Sequence, residues 1–170
     1  KRGDCLVSRG DLVQGFKDYA EAIALAPDRS EAYFARGLSL AEQYEYKDAI
    51  NNFDKAISLS PKDAKLYRAR ARAQRSRATK VVADGGGENI TFNANSAFGS
   101  GFDPKIMELA INDFGHALAL EDNLRTRLDR ASTLDSAERW EEALADYEYI
   151  LKRTEADARQ NPQGEAAALH

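Results

Sequence analysis

The apolar positions of this 170-residue chain recur with the spacing of amphipathic helices. In the segments 10–27, 32–61, 107–122 and 140–153, apolar residues follow one another at intervals of three, four and seven positions. This spacing places them on one face of an α-helix, and that face must be buried against a neighbouring element. The pattern therefore predicts an all-α protein.

The apolar stripes repeat with a period of 34 residues. When Pro27 is aligned with Pro61, Tyr19 falls on Phe53 and Ala22 falls on Ala56. The segments 107–122 and 140–153 carry the same pattern. Because one pair of antiparallel helices cannot bury its own apolar face, we expect neighbouring pairs to stack into a solenoid.

These spaced positions resemble the tetratricopeptide repeat (TPR), a 34-residue helical hairpin. In the segment 30–63 the eight preferred positions of that family hold Tyr33, Arg36, Gly37, Leu40, Ala49, Phe53, Ala56 and Pro61. Arg36 departs from the usual Leu. The resemblance implies a right-handed α-α superhelical solenoid that serves protein–protein recognition or scaffolding, as adaptors and co-chaperones of this family do.

The resemblance also divides the chain into repeats at about 1–29, 30–63, 64–123 and 124–157, the first truncated, with a tag-like tail at 158–170. The third repeat spans 59 residues rather than 34 because of an insertion at 79–104, rich in Gly, Asn and Ser. Two interpretations of this insertion stay open: a flexible excursion, or a segment whose Phe92, Phe98 and Phe102 contact a groove or a partner. Trp140 is expected in the core.

Positive charge is concentrated on one short stretch. The chain has a formal net charge of −4, yet residues 62–80 carry eight Lys or Arg against one Asp, a net of +7, which leaves −11 for the rest. Lys65, Arg68, Arg72 and Arg75 are spaced to lie within about 80° of arc on one helix. We therefore expect a basic stripe along one side of that helix, with Arg70 and Arg77 nearer the packing side.

The TPR resemblance places this stripe in the ligand groove, since its members occupy the groove-facing positions of the repeat's first helix. The predicted peptide-binding groove consists of Lys65, Arg68, Arg72, Arg75, Arg125, Tyr33, Phe34 and Leu38. Because guanidinium groups pair with carboxylates through two hydrogen bonds at a time, an acidic peptide segment of a partner protein is the predicted ligand.

An alternative is that neighbouring helices neutralise the stripe internally. The acidic residues at groove positions of those helices are Glu31, Glu42, Asp129 and Asp135. The chain would then be a structural or self-assembling segment of a larger TPR protein, in which the apolar edge at Leu6 and Val7 contacts another copy or upstream repeats. Nucleic acid is disfavoured because the remaining chain is acidic. A chaperone-type carboxylate clamp is not expected. The positions of that clamp hold Asp4, Ala35, Lys65 and Ala69, and only Lys65 agrees with it.

Catalytic and metal chemistry have no support in the sequence. His116, His170 and Cys5 form no cluster with zinc spacing, and no nucleophile has a convergent base, so we expect neither enzymatic activity nor a metal or cofactor. The chain has no apolar run of 18 residues and no signal peptide, and its single cysteine cannot form an internal disulfide. We therefore expect a cytoplasmic protein without a membrane partner. The missing initiator Met is consistent with a fragment or a processed chain.

Overall fold

Seven helices follow one another in the computed structural model, which describes residues 12–83, 91–92 and 101–160. They are α1 (Leu12–Leu25), α2 (Ser30–Glu42), α3 (Tyr46–Leu59), α4 (Ala64–Ala83), α5 (Pro104–Leu120), α6 (Leu124–Ser136) and α7 (Trp140–Gln160). Two short strands, β1 (Thr91–Phe92) and β2 (Gly101–Phe102), pair antiparallel between α4 and α5. Leu6, Val7, Phe98 and the tail from residue 161 lie outside the described residues.

The helices stack in the order of the sequence. Each helix packs mainly on the helix before it and the helix after it, and α4 also touches α2 and α6, the first helices of the neighbouring hairpins. This arrangement packs the apolar stripes of α2 to α6 between neighbouring helices, as a solenoid of helical hairpins requires. The predicted all-α solenoid is confirmed.

The turns inside the second and fourth hairpins have the same backbone geometry. Tyr44 and Glu138, 94 positions apart, adopt left-handed φ angles of 64° and 60°. In both turns the next residue donates its backbone N–H across the turn, from Glu45 to Leu40 and from Arg139 to Leu134. These bonds satisfy carbonyls that the helix end would otherwise leave unpaired.

The core of the second hairpin is closed around Phe53, which is fully buried. Gly37 on α2 faces this ring so closely that an added Cβ would lie 2.6 Å from the ring's Cε1. The absence of a side chain at Gly37 is therefore what lets α2 and α3 approach each other.

The insertion begins later than the sequence predicts and ends in the core. Helix α4 continues past Thr79 to Ala83. At the other end Phe102 is buried against Ala78 and Met107, and the backbone N–H of Asp103 donates to the Ala78 carbonyl at 3.1 Å. Phe102 thus contacts the interface of α4 and α5 rather than a groove.

Trp140 corrects one expectation: its side chain is 55% exposed. The residue at the equivalent position of the second hairpin, Tyr46, is half-buried because α4 packs over it. Within the described ranges no helix follows α7, so the indole of Trp140 has no such cover.

Candidate functional site: a basic groove

Three side chains of the basic stripe on α4 reach across to α6. Arg68 donates to the Thr126 hydroxyl at 3.3 Å, and Arg75 donates to the Thr133 hydroxyl at 3.5 Å. Between them, Arg72 contacts Asp129. The stripe therefore follows the line along which the first helices of the third and fourth hairpins meet.

Asp129 neutralises Arg72 and no other member of the stripe. Its Oδ2 accepts from Nε of Arg72 at 2.9 Å and from Nη2 at 2.5 Å. The carboxylate is 13% exposed and the guanidinium 43%, so the pair lies at the surface of the groove. Internal neutralisation, the alternative stated above, is thus observed for Arg72.

The other three cations of the stripe have no carboxylate partner in the part of the chain that the structure describes. Among the described residues no acidic side chain lies within ion-pair distance of Lys65, Arg68 or Arg75. The hydroxyl contacts of the two arginines are long and neutral, so they leave most of the guanidinium donors free. Of the acids expected to neutralise the stripe, Glu31 lies instead 3.9 Å from Arg29.

A cavity of about 360 Å³ lies between α2 and α4 and brings five of the predicted residues together. Its walls include Phe34, Leu38, Lys65, Arg68 and Arg72. Arg75 lies one turn further on, beside a smaller cavity of about 230 Å³ lined mainly by hydroxyl groups. Arg125 is exposed at the start of α6 and is not among the residues that line either cavity.

Tyr33 was expected in the groove and is in the core. Its side chain is 9% exposed, packs with Ala56 and Leu66, and donates a hydrogen bond to the Pro27 carbonyl at 3.3 Å. The neighbouring Phe34 is rotated by about 100° around the helix axis and faces the cavity instead. The prediction for Tyr33 is wrong because core-facing and groove-facing positions adjoin on α2.

Arg70, on the opposite side of α4, joins three helices. It makes a bidentate contact with Asp113 of α5, with both N–O distances at 2.7 Å, and a further contact with Asp54 of α3 at 2.6 Å. The hydrogen bond to Asp113 is the main cause that raises the pKa of the guanidinium above its ordinary value, with Asp54 adding to it. Arg70 is therefore structural, as its position away from the stripe predicts.

The same contact recurs in the second and fourth hairpins, and sequence reasoning missed it. Arg36 donates to Asn52 at 2.6 Å, and Arg130 donates to Asp146 at 2.7 and 2.6 Å. Both pairs are 16 residues apart. An arginine followed 16 positions later by an amide or a carboxylate, at the same place in two repeats, is the signal that could have found it.

Metal ligation has no candidate in the described part of the chain, where no three His, Cys, Asp or Glu side chains converge. His116 is exposed and its ring lies 5.8 Å from the ring of Tyr67. None of the described helices has the length and apolarity needed to cross a bilayer.

Residues 30–63 match the sequence profile of the family described as tetratricopeptide repeat. A segment of 67 residues is 30% identical to a DnaJ homolog subfamily C member 7 homolog of Dictyostelium discoideum. That match covers 39% of this chain and 12% of the relative, so the chain spans only a small part of the relative's length.

Solved structures with the same architecture come from distant proteins. MamA of Desulfovibrio magneticus RS-1 superposes with a TM-score of 0.68 at 14% identity, over 91% of this chain and 72% of that chain. Human IFIT1, solved as a dimer with PPP-AAAA, superposes with a TM-score of 0.67 at 17% identity, over 88% of this chain and 30% of that one. At these identities the likeness shows the fold alone.

Proposed function

We propose that this chain, in which residues 30–63 match the tetratricopeptide repeat, is a protein–protein recognition module that binds an acidic segment of a partner in the basic groove. TPR solenoids generally mediate protein interactions or scaffolding and are generally not enzymes. The function proposed here accordingly requires no catalysis and no cofactor.

One observation carries the proposal: Lys65, Arg68 and Arg75 lie along the groove without a carboxylate partner among the described residues. In a chain with a net charge of −4, acidic side chains are abundant, yet among the described residues only Asp129 lies within ion-pair distance of the stripe, and Glu42 lines the cavity without such a contact. Carboxylates of a bound segment would supply the missing partners, and guanidinium groups bind them in a fixed planar geometry.

The expected affinity is moderate. Each exposed ion pair contributes roughly 0.2–1 kcal/mol. Leu38, which is 41% exposed, and the half-buried Phe34 add an apolar floor to the same cavity. Together these contacts suit a micromolar complex, about −8 kcal/mol.

The experiment is a quantitative capture of partners by Arg68→Glu/Arg75→Glu and by the unmodified chain. Arg72 stays unchanged, because a Glu there would face Asp129 and destabilise the fold. The matched control, Arg153→Glu/Arg159→Glu, changes net charge by the same amount on exposed positions of α7. Circular dichroism and thermal melting establish that all three proteins are equally folded.

We expect partners with acidic segments to be lost from the groove variant and retained by the control. Synthetic peptides from those segments should bind the unmodified chain at least tenfold more tightly than the groove variant, with affinity falling as NaCl rises. Equal capture by all three proteins would contradict the proposal.

The alternative, a self-assembling structural segment, is tested by light scattering. If the mass of the unmodified chain rises with concentration, and the groove variant behaves identically, the result supports self-assembly rather than acidic-peptide recognition as the function. A strictly monomeric chain would exclude that alternative.

A further inference from the structure

A second surface, separate from the groove, lies on the last two helices that the structure describes. We define the end patch as five apolar side chains on α6 and α7 that are between 38% and 58% exposed: Leu128, Trp140, Leu144, Tyr147 and Leu151. The four members on α7 follow a spacing of four, three and four residues, which places them on one face of the helix. The four members on α7 thus form one exposed apolar stripe.

The second hairpin shows what covers such a surface. The residues 94 positions earlier are Phe34, Tyr46, Ile50, Phe53 and Ile57. There the following helix, α4, packs Leu66, Ala69 and Ala73 against them and leaves them buried or half-buried. Since α7 and α6 repeat this surface, a helix with a large aliphatic residue at position i and small apolar residues at i+3 and i+7 fits the end patch.

Charge beside the patch specifies the helix further. Glu141, Glu148 and Glu155 are exposed and spaced by seven residues, so they form an acidic row along one border of the patch. Glu148 is the equivalent of Asp54, whose carboxylate forms an ion pair with Nη1 of Arg70 of α4 at 2.6 Å. Its own contact, with Lys152 at 3.5 Å, is exposed and weak. An arginine at position i+4 of the covering helix would therefore find a carboxylate in place.

We propose that the end patch docks an amphipathic helix of a partner protein that carries a large aliphatic residue at i, small apolar residues at i+3 and i+7 and an arginine at i+4. A second copy of the chain is a poorer occupant, because packing α7 against α7 would bring two acidic rows together. The proposal does not depend on the groove, since the two surfaces share no residue.

The probe is a synthetic peptide copying residues 62–79, the segment with which α4 covers the second hairpin. A hydrocarbon staple between the positions of Arg68 and Arg72, away from the packing residues, keeps the peptide helical, as circular dichroism of the peptide verifies. Trp140 is the only tryptophan of the chain and belongs to the end patch, so its fluorescence reports occupation directly. We expect saturable titration with a blue shift of the emission.

Matched changes on each side separate docking from general attraction. The peptide variant Leu66→Gln/Ala73→Gln keeps every charge, and the protein variant Leu144→Gln/Leu151→Gln changes two side chains that are each 58% exposed. Each change should weaken binding at least tenfold, while the protein control Asp28→Asn, far from α7, should leave it within twofold. Glu148→Gln and the peptide change Arg70→Gln should each weaken binding a few-fold, and together no more than one alone.

Three results would overturn the proposal. The first is that the emission of Trp140 does not change when the helical peptide is added at concentrations up to about 1 mM, the upper end of weak recognition. Alternatively, the Leu144→Gln/Leu151→Gln variant would bind as tightly as the unmodified chain, which would identify mere attraction of a basic peptide to an acidic surface. Finally, the emission would shift with protein concentration alone while light scattering showed dimers, which would identify a second copy as the occupant.

Discussion

Arginines two positions apart on α4 have different roles because their neighbours differ in burial. Arg70 points toward Asp113, which is 4% exposed, and compensates a charge that water cannot reach. Arg72 faces Asp129 at the edge of the groove. A buried carboxylate that loses its partner keeps its desolvation cost, whereas a surface carboxylate is rehydrated.

We therefore expect Arg70→Met to lower the free energy of unfolding by about 3–5 kcal/mol, the usual cost of leaving a buried charge unpaired. Arg68→Met, whose only described contact is a threonine hydroxyl, should cost less than about 1 kcal/mol. Urea unfolding followed by circular dichroism measures both. Equal effects of the two changes would show that Asp113 is not held by Arg70.

Gly37 and Gly115 form a second matched pair. Gly37→Ala would place a methyl group against the buried ring of Phe53 and should cost about 1–3 kcal/mol through overpacking. Gly115→Ala meets only Arg130, at 3.9 Å, so the helix-forming preference of Ala should stabilise the chain by about 0.5–1 kcal/mol. Thermal melting shows the two signs, and a neutral Gly37→Ala would mean that α2 and α3 can separate at little cost.

The sequence predicts which helix carries the groove charges better than it predicts which side chains face the groove. The spacing of Lys65, Arg68, Arg72 and Arg75 follows from helix geometry alone, and three of these four line the larger cavity. Tyr33 could not be separated from its neighbour Phe34, because the orientation of α2 is set by packing on α3. Thr126 and Thr133 were missed since neutral hydroxyls give no charge signal.

At the level of elements, the hairpin turns are set by packing rather than by turn residues. Neither Tyr44 nor Glu138 is a residue that favours the left-handed region, and neither turn contains glycine. A search for Gly or Asn would have missed both turns. The end of α4 was equally hidden, because the sequence shows no helical period after Thr79, whereas the helix continues to Ala83.

Replacing Glu138 by glycine should relieve this backbone strain. We expect Glu138→Gly to raise the free energy of unfolding by about 0.5–1 kcal/mol, because glycine adopts positive φ without a steric penalty. Glu138→Ala removes the same side chain and keeps the strain, so it is the control and should show no gain. Denaturant unfolding compares the two, and an equal gain from both would assign the effect to the glutamate side chain.

For the whole molecule, a stack in which helices contact mainly their sequence neighbours has unequal stability along its length. The overall fold was predictable for the same reason, since the 34-residue period specifies every neighbour contact at once. The exposure of the apolar face of α7 was not predictable, because the sequence pattern of α7 matches that of covered helices.

Amide hydrogen exchange should show this gradient. We expect the slowest exchange in α3, α4 and α5, which have helices on both sides, and faster exchange in α7, whose apolar face is exposed. Mass spectrometry of peptide fragments after exchange resolves the helices. Uniform protection from α2 to α7 would indicate a single cooperative unit instead of a stack.

The arginine contact that recurs in the second, third and fourth hairpins has a consequence for protein engineering. In the second and fourth hairpins the two residues are 16 positions apart, whereas Arg70 and Asp113 are 43 apart and still pair. The interface itself thus selects the partner helix, since the same contact forms across connecting segments of two very different lengths. It follows that the chain is divisible: a fragment ending after residue 83 and another beginning at residue 101 carry complementary halves of one interface. Reporter halves fused to the two fragments at that break would report the reassociation of the fragments, which makes this hairpin a suitable place for a split-protein switch.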